Sequence, residues 1–339
     1  MRVVVEHFFL RLLPIFVAAA CIAVSADAQT RVTVKPPSIP MPPFAGVPSP
    51  YAQDTFELAI PVERNVNISL CVKDGRAKVN GWNRGELRVF ADKGQKFDLK
   101  VMQRNADTGL ASWVMVVARP KISGAAVNEC LEGDDIEVDV PTGASVNLKG
   151  SDISVQIDGI GKAHVRTLGG DIIARNISGG LTASAGQGDI VADRISGPMN
   201  LLNTTGNIII VSSGPTGPGD DLKASTTSGS ITMKDTIYRQ LEATSISGAI
   251  SFVGGIPENA SYNINTNRGS IGLSLPSASG FRLAATYGFG TLNSEMPLNV
   301  LTENIESGPI RKIVGDIGPG GGATVRLSTN SGRISLKKM

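Results

Sequence analysis

Residues 241–252 read LEATSISGAISF, a segment in which apolar and polar side chains alternate on both sides of Gly248. Alternation with a period of two is typical of a β-strand that buries one face. The glycine between the two runs indicates a corner, because glycine accepts left-handed or bulged backbone conformations. The segment therefore predicts two short strands joined at a corner. The side chains predicted to point inward are Leu241, Ala243, Ile250 and Phe252.

The same pattern recurs along the rest of the chain from about Ile136 onward. Each unit has an apolar alternating run, a corner glycine and a second apolar run. The glycines follow one another at intervals of 18, 18, 23, 19, 21, 21 and 42 residues, the last interval being twice 21. These glycines are Gly170, Gly188, Gly206, Gly229, Gly248, Gly269, Gly290 and Gly332.

A repeat of about 20 residues is the length of one turn of a β-solenoid. One turn is too thin to bury its own apolar face, and stacking the next turn about 4.8 Å away buries that face and pairs the backbone. The predicted fold class is therefore all-β: a single-stranded β-solenoid, or β-helix, preceded by an N-terminal β-region. Residues 213–219 lie within the longest single step, and we expect them to loop off one face.

The first 28 residues are predicted to be a signal peptide. An uncharged and largely apolar run over residues 12–24 suits its hydrophobic region and is too short to cross a bilayer. Small residues at its end predict cleavage between Ala28 and Gln29. A lipid anchor on Cys21 is the alternative. We expect export to the periplasm, the outer surface or the medium, with no membrane-spanning segment left after cleavage.

Three segments are predicted to follow the signal peptide. Residues 29–53 contain seven prolines, which indicates an extended linker of the polyproline type. Residues 54–135 carry short alternating runs separated by turn sequences, which predicts the N-terminal β-region. Residues 136–339 contain the solenoid repeats.

Two cysteines, Cys71 and Cys130, remain in the predicted mature chain. Two cysteines in an exported protein indicate one disulfide. Two buried free thiols are the alternative interpretation.

Few side chains of the mature chain suit catalysis or metal binding. His164 is its single histidine, which excludes a multi-histidine metal site, and its outward phase predicts exposure. Asp152, Asp171 and Asp189 recur after the corner and are expected to stack as a column. Such a column either binds calcium or bonds to the backbone of its own turns, and we favour the second interpretation. We expect no other cofactor. A second, hydrogen-bonded ladder is predicted for Thr204, Thr226, Ser245, Thr266, Thr286 and Thr329.

Several segments, taken in order, resemble a bacterial putative-adhesin family of β-strand-repeat proteins. They are CVKDGRAKVNGW at 71–82, DVPTGASV at 139–146, the Gly-Asp-Ile units, and GDIGPGGG at 315–322 with TNSG at 329–332. The resemblance covers about residues 55–339. It implies an extracytoplasmic β-solenoid and supplies no catalytic residues. Arg333, where aspartate is usual, and the two spaced cysteines depart from the family pattern.

The net charge of +2, from 32 basic and 30 acidic residues, gives no overall attraction to nucleic acid or to anionic membranes. We expect a non-catalytic extracytoplasmic protein, structural or adhesive, that presents flat polar faces to a surface polymer or an envelope protein. One alternative is a carbohydrate-binding or carbohydrate-cleaving β-helix, whose catalysis would need two carboxylates in a cleft. Another is a periplasmic envelope-stress accessory protein.

Export makes a first testable prediction. The mature chain should begin at Gln29, and its cysteines should resist thiol reagents until a reductant is added. Intact mass measured with and without reductant checks both expectations. A diacylglycerol mass on Cys21 would replace the cleavage prediction with the lipid anchor.

Overall fold

The computed structural model describes residues 55–92, 95–119, 130–132, 135–305 and 308–339. The predicted signal peptide, its cleavage site at Ala28 and Gln29, Cys21 and the proline-rich linker lie outside the described residues. Within the described ranges the regular structure consists of strands that join in one 22-stranded sheet.

The strands of the first half are β1 Phe56–Trp82, β2 Glu86–Ala91, β3 Phe97–Arg104, β4 Ala111–Ala118, β5 Asp135–Pro141, β6 Ser145–Asp158, β7 Lys162–Thr167, β8 Ile172–Ile177, β9 Leu181–Gln187, β10 Ile190–Ile195 and β11 Met199–Thr205. Those of the second half are β12 Ile208–Val211, β13 Asp221–Ser228, β14 Ile231–Lys234, β15 Gln240–Ser247, β16 Ile250–Val253, β17 Ser261–Arg268, β18 Ile271–Leu275, β19 Phe281–Ser294, β20 Leu298–Ile305, β21 Arg311–Ile317 and β22 Thr324–Lys338.

Parallel pairing between every second strand builds two ladders. The first ladder runs through β6, β7, β9, β11, β13, β15 and β17, and the second through β6, β8, β10, β12, β14, β16 and β18. Each turn of the chain therefore contributes one strand to each ladder. This arrangement confirms the predicted all-β solenoid.

Identical side chains stack along the inner side of the second ladder. The isoleucine after each corner pairs in register with the isoleucine of the next turn, and each is at most 1% exposed. Burying one such side chain stabilises the fold by about 1.5–3 kcal/mol. The column consists of Ile172, Ile190, Ile208, Ile231, Ile250, Ile271 and Ile334.

The corner glycines lie directly against one another in successive turns. A Cβ atom added to Gly248 would come closer than 3.0 Å to the carbonyl oxygen of Gly229, and one added to Gly269 would meet the carbonyl oxygen of Gly248 in the same way. The backbone is also left-handed at some of these corners, including Gly188 with φ of 108°. Close approach of neighbouring turns, more than φ alone, therefore requires glycine at the corner.

A second corner uses left-handed residues that are not glycine. The backbone φ is positive at four such residues, in the left-handed region. They are Asn176, Arg194, Ser212 and Asp235, with φ of 52°, 53°, 49° and 51°. They follow register-paired residues of β8, β10, β12 and β14, so they stack as a column. Such backbone costs about 1–3 kcal/mol per residue. Part of that cost is offset where the Asn176 side-chain oxygen accepts a hydrogen bond from Arg194 Nε at 2.7 Å.

The last turns do not stack in sequence order. The C-terminal strand β22 pairs in parallel with β17 and β18 on one side and with β19 on the other. Gly332 therefore lies between Gly269 and Gly290. The expectation that turns follow one another in sequence order is wrong here, because β22 inserts into the ladder between β19 and the earlier turns.

Antiparallel strands lie beyond the parallel turns at both ends. At one end β21 pairs antiparallel with β19 and β20, and at the other β3 pairs antiparallel with β4. Strand β1 pairs in parallel with β4 and β5 on one side and with β6 on the other. Hydrogen bonding is therefore continuous across the predicted domain boundary between residues 135 and 136.

Glycine at the corner can be tested by substitution. Gly248→Ala should lower the free energy of unfolding by about 1–3 kcal/mol, because its methyl group would overlap the carbonyl oxygen of Gly229. Gly255→Ala is the matched control, since a Cβ there meets nothing within 4 Å, and it should change stability by less than about 0.5 kcal/mol. Urea melts of both variants provide the measurement. Equal losses would contradict the close-approach explanation.

Candidate functional site

Asp171 and Asp189 stack in consecutive turns and bond to the backbone. Oδ1 of Asp171 accepts a hydrogen bond from the Asp189 backbone N–H at 2.8 Å, and Oδ1 of Asp189 accepts one from the Asn207 N–H at 2.7 Å. Oδ1 of Asn207 in turn accepts the Ser230 N–H at 3.0 Å. Each of these side chains therefore ties its turn to the next one. The predicted bonding to backbone N–H groups is present, but the N–H belongs to the following turn and not to the aspartate's own turn.

Asp152 lies outside this column. The Ile153 N–H donates to the carbonyl oxygen of Gly169, and the Val155 N–H donates to the carbonyl oxygen of Asp171. Ser154, between these two residues, therefore lies beside Asp171 in the next turn. The expected equivalence of Asp152 with Asp171 and Asp189 is wrong. Ile153, and not a glycine, lies beside Gly170 at the bend of β6, so the residue that follows the corner is Ser154. Within the residues that the structure describes, no group of three or more His, Cys, Asp or Glu side chains is placed to hold a metal ion.

The predicted hydroxyl ladder is buried and structural. Ser245, Thr266 and Thr329 donate to the carbonyl oxygens of Gly229, Gly248 and Gly269 at 2.9–3.0 Å. Thr226 makes the same bond to the preceding corner at 3.2 Å. These side chains satisfy the carbonyl groups that the corner leaves without a ladder partner.

Two members of that predicted ladder are wrong by one residue. Asn203, rather than Thr204, occupies the buried position and donates to the carbonyl oxygen of Gly188 at 2.8 Å. In β19 the equivalent of Thr329 is Tyr287, while Thr286 pairs with the outward Ser328. The period of two explains both shifts, since an error of one residue moves a side chain to the other face.

Cys71 and Cys130 form a disulfide with their Cα atoms 4.4 Å apart. Cys71 lies in β1, and its carbonyl oxygen accepts the backbone N–H of Leu131. The bond therefore fixes the segment around Leu131 to the edge of the first ladder. Disulfides of this kind are typical of proteins that fold outside the cytoplasm.

Outward side chains of the first ladder form a surface that we call the polar face. Its two columns rise in register from turn to turn, and most members are amides, hydroxyls or charged groups. The first column contains Asn147, His164, Thr182, Asn200, Lys223, Glu242, Asn263 and Arg326. The second contains Lys149, Arg166, Ser184, Leu202, Ser225, Thr244, Asn265 and Ser328.

His164 belongs to the polar face and is exposed, as its outward phase predicts. It pairs in register with Asn147 and Thr182. Neither neighbour is a carboxylate or a thiol, so this geometry contains no partner that would orient the imidazole for proton transfer.

A cavity of about 270 Å³ lies at the N-terminal end of the polar face. Trp113, Met115, Ser69 and Lys149 are among the residues that line it. Trp113 is 37% exposed, and its Nε1 donates a hydrogen bond to Ser69 Oγ at 3.2 Å. Because Ser69 lies on the neighbouring strand, this bond holds the indole across the surface of the sheet.

Basic side chains surround that end of the face. Lys149, Lys162 and Arg166, which we call the basic patch, are exposed on two adjacent turns and frame His164. Among the described residues, no carboxylate forms an ion pair with any of the three. The balanced total charge of the chain conceals this patch. The sequence could have predicted it only by aligning the outward-pointing positions of adjacent turns.

The predicted insertion forms a compact loop on another side of the solenoid. The Asp220 carboxylate accepts hydrogen bonds from the Thr216 hydroxyl and from the backbone N–H groups of Thr216 and Gly217, all at 2.8–2.9 Å. These bonds, that of the Thr216 side chain first, hold the pKa of Asp220 below its ordinary value. The loop borders a cavity of about 540 Å³ that Ile237 and Arg239 also line. At the start of the loop the Gly214 N–H donates to the carbonyl oxygen of Ile195 at 3.0 Å, which ties the loop to a neighbouring turn. These bonds hold the loop in place, so we assign it a structural role.

No helix within the described part of the chain has the length and apolar character needed to cross a membrane. No protein-family model and no curated protein matches the sequence.

Several solved structures are similar to the chain at low identity. A protein from Clostridium sporogenes named a putative cell adhesion protein is 11% identical, with a TM-score of 0.20, over 84% of this chain and 100% of its own. A putative lipid binding protein from Parabacteroides distasonis is 11% identical, with a TM-score of 0.37, over 84% and 97%. A putative adhesin from Parabacteroides merdae is 8% identical, with a TM-score of 0.37, over 84% and 97%. Two of these three proteins are named for adhesion.

The role of the aspartate column can be tested at Asp189. Asp189→Asn keeps a side-chain oxygen for the Asn207 N–H and should change the free energy of unfolding by less than about 0.5 kcal/mol. Asp189→Ala removes that acceptor and should cost about 1–3 kcal/mol. Urea melts with and without calcium provide the measurement. A calcium-dependent rise in the melting midpoint that Asp189→Asn abolishes would contradict the structural role.

Proposed function

We propose that this protein is a non-catalytic extracytoplasmic binding module, structural or adhesive in its role, whose polar face holds an extended surface polymer. The observation that supports the proposal is the register of that face. Its two outward columns place amide, hydroxyl and charged groups on successive turns, spaced by the backbone pairing itself at about 4.8 Å.

Backbone pairing makes such a face favourable for binding. Each outward side chain sits on a strand that is hydrogen-bonded on both sides, so little ordering is needed when a ligand arrives. A long ligand can contact many turns at once, and weak contacts then add along its length. A regular surface of this kind suits a polymer better than a small substrate.

Catalysis by the aspartates would need geometry of another kind. A glycoside hydrolase places two carboxyl groups about 5–9.5 Å apart in a cleft, one of them free to donate or accept a proton. Asp171 and Asp189 each use one oxygen for the backbone of the following turn. We therefore propose that the protein is not an enzyme and needs no cofactor for its function.

The proposal can be tested with the purified mature chain and a panel of bacterial surface and plant polysaccharides. We expect retention on at least one polymer and no release of reducing ends or unsaturated products from any of them. Cleavage that Asp171→Asn or Asp189→Asn abolishes in a folded protein would overturn the proposal in favour of a carbohydrate-cleaving β-helix.

A matched pair of variants locates the binding surface. Thr244→Glu adds a hydrated charge to the middle of the polar face, whereas Thr232→Glu adds the same charge to the outward side of the second ladder. The first should weaken polymer binding at least about tenfold, and the second should leave it unchanged. Equal effects would show that the polymer does not lie on the polar face.

A further inference from the structure

We propose that the basic patch and Trp113 form a subsite for a carboxylate-bearing polysaccharide at the N-terminal end of the polar face. This inference rests on the proposed function and specifies the class of polymer. It assigns a role to three exposed cations without an ion-pair partner among the described residues, Lys149, Lys162 and Arg166, and to the partly exposed Trp113.

The first argument is charge. Lys149 and Arg166 are register partners on neighbouring strands, and Lys162 lies level with Ser145 on the same two turns. None of the three has an ion-pair partner among the described residues, and the outward first-ladder positions 145, 147, 164, 182 and 184 beside them carry no Asp or Glu, whereas the exposed Asp152 lies at the bend of β6. Like charges on adjacent strands repel. A polyanion lying across these turns would relieve that repulsion.

The second argument is the position of the aromatic ring. Trp113 pairs in register with Asn67, which pairs with Ser145, so the indole lies in the row that leads to Lys162. Its hydrogen bond to Ser69 keeps the ring along the sheet, and the cavity beside it also reaches Lys149. A partly exposed indole fixed by a hydrogen bond is suited to stack on the apolar face of a sugar.

The third argument is the chemistry of the outward side chains on the turns that follow the subsite. Beyond Arg166 the same rows present Thr182, Ser184 and Asn200, which are neutral donors and acceptors for hydroxyl groups. A membrane surface would instead favour apolar side chains that project outward next to the cations. The indole here is hydrogen-bonded to Ser69, and Leu168, which is 69% exposed, follows the end of β7 and belongs to neither outward column. A linear acidic polysaccharide therefore fits the row better than a lipid surface.

The experiment compares two polymers with one backbone. Binding of the mature chain to polygalacturonate and to its fully methyl-esterified form is measured by calorimetry at low and at high salt. We expect the carboxylate form to bind at least about tenfold more tightly at low salt and to lose most of this advantage at high salt, because salt screens exposed charges.

Variants then separate the two parts of the subsite. Lys149→Gln with Arg166→Gln should weaken binding to polygalacturonate about tenfold and leave binding to the methyl ester unchanged. Lys234→Gln with Arg333→Gln removes the same charge from exposed residues outside the polar face, Lys234 on the second ladder and Arg333 at the corner of β22, and should have no effect. Trp113→Ala should weaken binding to both polymers, and Trp113→Phe should restore part of it. Urea melts confirm that each variant is folded.

Each other outcome contradicts the inference. Equal affinity for the two polymers, or equal losses in the test and control variants, would overturn the subsite and leave the proposed polymer-binding function intact. Tighter binding to phosphatidylglycerol vesicles or to an oligonucleotide than to polygalacturonate would assign the patch to another partner. Failure to bind any polymer, in this experiment and in the panel, would overturn both proposals.

Discussion

The contact between corner glycines of successive turns is the constraint on which the rest of the structure depends. At Gly229, Gly248 and Gly269 the backbone of one turn rests against the carbonyl group of the turn before, at a separation that leaves no space for a side chain. That approach allows the strands on both sides of the corner to reach ladder spacing together. The buried hydroxyls are a consequence, because the crowded carbonyl groups need donors from within the solenoid.

Repetition made the central turns predictable from the sequence. A period of two identifies the buried face of each strand, and the recurring glycine identifies the corner, so residues such as Ile250 and Phe252 are correctly placed in the core. The left-handed corner at Asn176 and Arg194 was not predicted, because side chains other than glycine give a weak signal for that backbone. The place of β22 could not be predicted either, since strand order is not a local property of the chain.

Local charge could be predicted only in part. The total charge of the chain is close to zero, and it hides the basic patch because acidic residues elsewhere in the chain balance these cations. The register of β6 with β7 is what brings Lys149 beside Arg166, and a sequence pattern fixes that register only when the bend between the two halves of β6 is placed correctly. The bend of β6 also places Asp152 outside the aspartate column. The position of Asp152 and the pairing of Lys149 with Arg166 therefore depend on the same irregular turn.

The inserted strand β22 links the polar face to completion of the fold. Arg326 and Ser328, which continue the two outward columns beyond β17, lie on β22, which pairs with β17 on one side and with β19 on the other. Until residues 324–338 insert, β17 and β19 have no partner on the edges that they turn toward each other, and the face ends one turn earlier. Closing the long loops between these strands costs conformational entropy, so we expect these pairings to form after those between neighbouring turns. A continuous face, and binding along its full length, therefore require the C-terminal strand to be in place.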